Sequence, residues 1–266
     1  GIEYAEMLSL LGKQDLDDEI ASLGKNHKDT HLKLNLFGRD PDDGLTDVAY
    51  EKGFFLLRLI EGAVGRKQFD SFLKEYFSVN AFKVIDTEEF VAYLNTNLLN
   101  SRPNAKEKIR LEEWIYGAGI PDNCPKVKST KFKAVESAIH SFEMGYPLAN
   151  IKSELWSSHE WLHFLRHLPK DIDIDDLKKL DNAFSFTNSG NSEILNAWFQ
   201  LTIPAGYTKA DKQLEEFLYS VGRRKFLKPL YEALYKKNPQ KAMRIYQKSR
   251  ANYHSVSTQT LDAILL

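Results

Sequence analysis

Three stretches of this 266-residue chain bring together side chains whose types and spacing suit chemistry. The first is the run Gly38-Arg39-Asp40-Pro41-Asp42-Asp43-Gly44-Leu45-Thr46-Asp47-Val48-Ala49-Tyr50-Glu51-Lys52-Gly53, an acidic, turn-rich loop that delivers a tyrosine where an apolar segment begins. A phenol fixed there, with a reference pKa near ~10, is a neutral hydrogen-bond donor at pH 7, and such a group stabilises an oxyanion. By residue type alone, a tyrosine at a helix start is more often a half-buried packing residue. The second stretch, His159-Glu160-Trp161-Leu162-His163, matches H-E-x-x-H. Imidazoles at i and i+4 share a helix face and can bind one zinc, with the glutamate as general base. The third, Gly222-Arg223-Arg224-Lys225-Phe226, reads on its own as a solvated basic helix start.

These residues need elements to hold them. Pro41 and Gly44 interrupt regular structure, and Thr46 or Asp47 is a natural N-cap for the next helix. From Val48 to Ala63 the chain is so apolar, with Phe54, Phe55, Leu56, Leu57, Leu59 and Ile60, that it predicts a helix buried on most of its faces. Residues 1 to about 24 read as helical with Gly12 as a possible break, and His31 to Leu36 alternates as a short strand or extended segment does. Arg66 to Phe77 carries aromatic residues at helical spacing, and Asp86-Thr87-Glu88-Glu89 is a helix-start signature. Gly117 to Lys128, with Gly119, Pro121, Asn123 and Pro125, is the best boundary, which divides the chain into 1–121 and 122–266. Beyond it the pattern predicts helices over about 130–145, 157–168, 173–185, 192–203, 211–221, 223–236, 238–251 and 256–265. Consecutive short helices with tight connections predict an all-α chain ending in an irregular solenoid.

Composition narrows the function classes. A net charge of −1 argues against a dedicated nucleic-acid binder. The single cysteine, Cys124, excludes an intrachain disulfide and a cysteine-based zinc cluster. Nothing approaches the roughly 18 to 20 apolar residues of a membrane span, so no membrane partner is expected. The chain opens at Gly1-Ile2-Glu3-Tyr4 inside what reads as a helix, without an N-cap, so a fragment of a longer protein is expected. The location expected is cytoplasmic, with export as the alternative because any signal peptide would precede Gly1.

The run from Gly38 to Gly53 resembles the end of the catalytic domain of the M1 zinc aminopeptidases, in the branch that includes leukotriene A4 hydrolase. There an Asp-Pro-Asp loop leads into a Tyr-Glu-Lys-Gly helix. Trp114-Ile115-Tyr116-Gly117-Ala118-Gly119-Ile120-Pro121 is similar to the segment that closes that domain. Asn191-Ser192-Glu193-Ile194 with Trp198, and Gly222 to Phe226 with Pro229-Leu230, resemble landmarks of the family's helical C-terminal domain. Order and spacing agree over nearly the whole chain. The resemblance implies the helical C-terminal part of a thermolysin-like catalytic domain, followed by an armadillo- or HEAT-like α-solenoid. It also implies roles: Tyr50 steadies the tetrahedral intermediate, Asp42 lines the peptide end of the cleft, and Arg223 and Lys225 hold the carboxylate of a short peptide substrate. Asp40 and Asp43 read as turn formers and helix-start charges.

Under the same resemblance His159-Glu160-Trp161-Leu162-His163 is not the zinc motif. The family's third ligand is a glutamate nineteen residues after the second histidine, where this chain has Asn182, with no glutamate between Ile172 and Ser192. The family's zinc motif also precedes its tyrosine, whereas His159 comes after Tyr50. Ser157-Ser158-His159 instead reads as a capped helix start, with Trp161 and Phe164 on the packed face. Zinc is therefore expected in the complete protein and none on this chain, whose partner is the N-terminal remainder of the same protein. The chain alone is expected to be inactive. The second tyrosine that vertebrate leukotriene hydrolases carry five residues before the catalytic one is Leu45 here, so peptide hydrolysis is expected rather than epoxide hydrolysis. The alternative function class is a non-catalytic helical scaffold that binds a partner protein, a reading that leaves the acidic loop and its tyrosine unexplained.

Overall fold

In the computed structural model every residue but Leu45 is described, and Asp43 is described by its backbone alone. Among the described residues the regular structure is helical, with no strand. The chain forms two compact units, Leu8–Lys128 and Ser129–Leu266, and residues Gly1–Met7 group with the second.

The first unit contains most of α1 (Ile2–Leu23), then α2 (Gly53–Val64), α3 (Arg66–Val79), α4 (Thr87–Leu94), α5 (Pro103–Ile109) and α6 (Leu111–Tyr116). Its core gathers Leu16 of α1, Phe55 and Ile60 of α2, Phe72 of α3, Leu94 of α4 and Trp114 of α6. Each such side chain contributes about 1.5–3 kcal/mol when fully buried. α1 runs unbroken through Gly12. A Cβ at that position would overlap the Glu51 carboxylate, so the glycine makes room for a side chain instead of ending a helix. α4 opens with the capping box its sequence announces, Asp86 accepting from Glu89 N at 2.8 Å and Glu89 accepting from Asp86 N at 3.1 Å.

Two expectations about this unit are corrected. The segment His31–Leu36 forms no strand: the backbone bends over His31–Lys33 and is irregular from Leu34 to Leu36, and Lys33 N donates to Ile115 O at 3.0 Å. α2 is buried on one face only, through Phe55, Leu56, Leu59 and Ile60, while Phe54 and Leu57 are exposed. Total hydrophobicity does not report which side of a helix faces solvent.

The second unit stacks α7 (Thr130–Glu143), α8 (Ser158–His167), α9 (Ile174–Phe184), α10 (Ser192–Ala205), α11 (Asp211–Ser220), α12 (Arg224–Lys237), α13 (Pro239–Ser249) and α14 (Ser255–Leu265). Helices pack on near neighbours in sequence: α7 on α8, α8 on α10, α10 on α12, and α12 on α13 and α14. That is the irregular solenoid the short, punctuated helices predict. α10 is the central element, with Ala197, Trp198, Phe199, Leu201 and Thr202 buried around its circumference. Asp181 secures its neighbour by accepting from Thr187 N, Thr187 Oγ1 and Tyr207 OH, each at 2.9 Å. Lys209 Nζ stands 3.6 Å from Asp181 Oδ2, so the buried carboxylate is satisfied by three hydrogen bonds and an ion pair.

Candidate functional site

The tyrosine loop is held from several directions. Arg39 forks onto Asp29 at 2.7 and 2.8 Å, a bidentate pair that holds the Asp29 carboxyl below its ordinary range. Asp40 Oδ1 accepts from Asp42 N at 3.0 Å, an Asx turn that starts the 3₁₀ turn Pro41–Gly44. Asp42 is half-buried in that turn. Leu45, which the sequence marks as the departure from the leukotriene hydrolases, lies outside the described residues.

The helix behind this loop does not begin with a side-chain cap. Asp47 has helical backbone angles and makes no cap bond, so the N-cap expected at Thr46 or Asp47 is not formed. Instead Val48–Lys52 winds as a π-helical turn ahead of α2. Such widened turns are rare and recur at functional sites. This one turns Val48 and Lys52 inward and Tyr50 outward, leaving Tyr50 66% exposed.

Lys52 has no exposed surface. Its Nζ donates to Thr30 O at 2.9 Å and to Gly117 O at 2.8 Å. Burial draws its ammonium down to about 8, because the charged form loses hydration that two carbonyl dipoles replace only in part. Thr30 is itself tied in: its Oγ1 accepts from Gly119 N at 2.8 Å and donates to His27 O at 2.7 Å. Sequence reasoning passed over this cluster. The available signal was spacing, since Lys52 occupies the same helical face as Val48, Phe55 and Leu59.

In the second unit Arg223 and Lys225 flank the start of α12. Arg223 is the N-cap, with extended backbone (φ −77°, ψ 122°), and its guanidinium lies 5.7 Å from the centre of the Phe226 ring. Lys225 Nζ stands 3.8 Å from Glu193 Oε2 in the first turn of α10. Asn196 of α10 donates to Phe226 O at 3.1 Å, and Ser257 of α14 donates to Gly222 O at 3.0 Å, so both sides of the basic segment are anchored. Tyr50 and Asp42 thus share one loop, and Arg223 and Lys225 share one helix start.

Comparison with known proteins places both halves. Residues 11–111 match the model of the peptidase family M1 domain, and residues 156–265 match that of the leukotriene A4 hydrolase C-terminal domain. The chain belongs to the M1 peptidase family. A protein named leucine aminopeptidase 2 from Pyricularia oryzae is 30% identical over 264 residues, with 96% of this chain and 43% of the relative covered. Leucine aminopeptidase 2-2 of Scheffersomyces stipitis is 32% identical, with 93% and 42% covered. The structure of yeast leukotriene A4 hydrolase in complex with bestatin superposes with a TM-score of 0.83 at 26% identity, covering 99% of this chain and 46% of that one. The chain spans less than half the length of the relatives it matches.

M1 aminopeptidases are zinc enzymes, and the H-E-x-x-H sequence here does not fit that metal. Glu160 is a capping-box carboxylate, accepting from Ser157 N and Ser157 Oγ at 2.8 Å each. His163 is 3% exposed, stacks on Phe132 with ring centres 4.0 Å apart, and meets Glu136 Oε1 through Nε2 at 3.2 Å. Burial above all, with Arg166 and His167 nearby, pushes its pKa down to about 3, so the ring is neutral. His159 packs its ring edge against Tyr4. Asn182, at the third-ligand position, accepts from Lys209 Nζ at 3.3 Å. Among the described residues no group of three His, Cys, Asp or Glu side chains is placed to hold a metal. Trp161 packs on Trp156, Phe184 and Phe186, so this helix carries an aromatic core in an M1 C-terminal domain.

Proposed function

We propose that the whole protein is a zinc aminopeptidase that removes N-terminal residues from short peptides, and that this chain supplies groups acting around the reacting carbonyl while the zinc is held elsewhere in the longer protein. Tyr50 donates its phenolic hydrogen to the oxygen that gains negative charge as the first peptide carbonyl becomes tetrahedral. A neutral phenol suits this role because it gives a hydrogen bond that strengthens as charge develops, without demanding a counter-ion in the ground state. Asp42 lines the peptide end of the cleft, and Arg223 with Lys225 grips the peptide carboxylate. Without the metal-bearing part the chain is inactive.

The observation that carries this reading is Tyr50 itself, turned outward on a π turn whose end residues Val48 and Lys52 are buried, within the segment matching the M1 domain. In the whole protein Tyr50→Phe removes one oxyanion donor and should lower kcat by about 10² to 10³ with KM little changed. Steady-state kinetics on an aminoacyl anilide decide it; a near-normal kcat would make Tyr50 a surface tyrosine and nothing more.

A further inference from the structure

Within this chain Tyr50 is two-thirds exposed. What this chain contributes to its placement is its own backbone, the five-residue turn Val48–Lys52. That turn is fastened by Lys52, whose ammonium reaches two carbonyls distant in sequence, 22 residues back at Thr30 and 65 residues on at Gly117. Both acceptor segments are also joined to each other, since Thr30 Oγ1 accepts from Gly119 N. Gly117 has no room for a side chain, because a Cβ there would collide with Glu113 O. One ammonium thus knits the turn bearing Tyr50, the 3₁₀ turn Lys28–Thr30 and the loop after α6 into a single cluster.

We propose that Lys52 is a positioning residue for Tyr50, holding the π turn so that the phenol meets the developing oxyanion at hydrogen-bonding distance. The proposal rests on the aminopeptidase role of the whole protein. An apolar side chain would fill the same space and hold the same helix face, but it could not bind Thr30 O and Gly117 O and so could not fix the turn against those two segments. Burying a lysine is unfavourable, as its lowered pKa attests, and a purely space-filling role gives no reason for an ammonium here.

The test is a double-mutant cycle in the full-length zinc-loaded enzyme with Tyr50→Phe, Lys52→Met and the two combined. A catalytic group displaced by about 1 Å can lose ~10²-fold in rate. Lys52→Met alone should therefore lower kcat by about tenfold to a hundredfold with KM within about twofold. The double variant should be no slower than Tyr50→Phe, because a phenol that is absent cannot be misplaced. Equal loss from Lys52→Met in both backgrounds, or a wild-type kcat for Lys52→Met, overturns the positioning role. A wild-type kcat for Tyr50→Phe overturns the aminopeptidase role of Tyr50 itself, and the positioning role with it, so the two failures read differently. Should Lys52→Met not accumulate as folded enzyme, Thr30→Val enters the same cycle, since it removes the hydroxyl that ties Gly119 and His27 to the cluster while leaving the Thr30 carbonyl. A kcat loss that vanishes in the Tyr50→Phe background supports the proposal, and an unchanged kcat overturns it.

Discussion

Lys52 carries a proton balance that stability measurements can read. Its folded pKa is about 8, against roughly 10.4 in an unfolded chain. Below pH 8 both states hold the proton and the burial penalty is fully present. Between pH 8 and about 10.4 the native state releases its proton while the unfolded state keeps it, so stability rises with pH. The gap corresponds to at most about 3 kcal/mol. Tyrosines with raised pKa, such as Tyr207 and Tyr246, act in the opposite sense near the top of this window, so the informative quantity is a difference. Urea unfolding should show wild type gaining on Lys52→Met by about 1–3 kcal/mol between pH 7.5 and 10. Parallel pH dependences for the two proteins would mean that Lys52 titrates normally. The same residue marks where sequence reading stopped. Tyr50 was visible from its motif, but what secures it is a contact across 22 and 65 residues, and local pattern carries no information about such partners.

Elements were legible where their ends were written in side chains. Asp86, Ser129, Asp173, Asn191 and Asn238 each accept from a backbone N–H in the next turn, and the helices of the second unit begin within a residue or two of the expected positions. The helix behind Tyr50 was misread at its start because its first turn is widened and uncapped, and no residue type announces a π turn. α8 shows the opposite hazard, a motif that is legible and misleading. Glu160 completes a capping box, so Glu160→Ala should lower stability by about 1–2 kcal/mol, a fall of a few degrees in Tm. In the whole enzyme it should leave kcat within about twofold of wild type. Loss of activity by several powers of ten with an unchanged Tm would instead identify Glu160 as a general base. Calorimetry beside steady-state kinetics separates the two.

At the scale of the whole molecule the carboxylate grip proposed for Arg223 and Lys225 depends on the helix that bears them. Arg223, Arg224 and Lys225 lie at the N-terminus of α12, the end of a helix that already carries partial positive charge. Cations there are disfavoured by roughly 0.3–1 kcal/mol each, and a bound carboxylate would relieve that repulsion. Phe226 lies beneath Arg223 and Glu193 pairs with Lys225, which holds the two side chains in place. Loss of one charged hydrogen bond to a carboxylate costs about 1.5–3 kcal/mol, one to two powers of ten in kcat/KM. Arg223→Ala in the whole enzyme should therefore cripple tripeptide hydrolysis while an aminoacyl anilide, which has no carboxylate to grip, is cleaved near the wild-type rate. Arg224 is the internal control. Arg223 leaves the chain from extended backbone before the helix begins, whereas Arg224 is the first helical residue and projects in another direction, so Arg224→Ala should keep both rates near normal. Equal damage to both substrates from Arg223→Ala, or greater damage from Arg224→Ala, would remove the basic pair from substrate recognition.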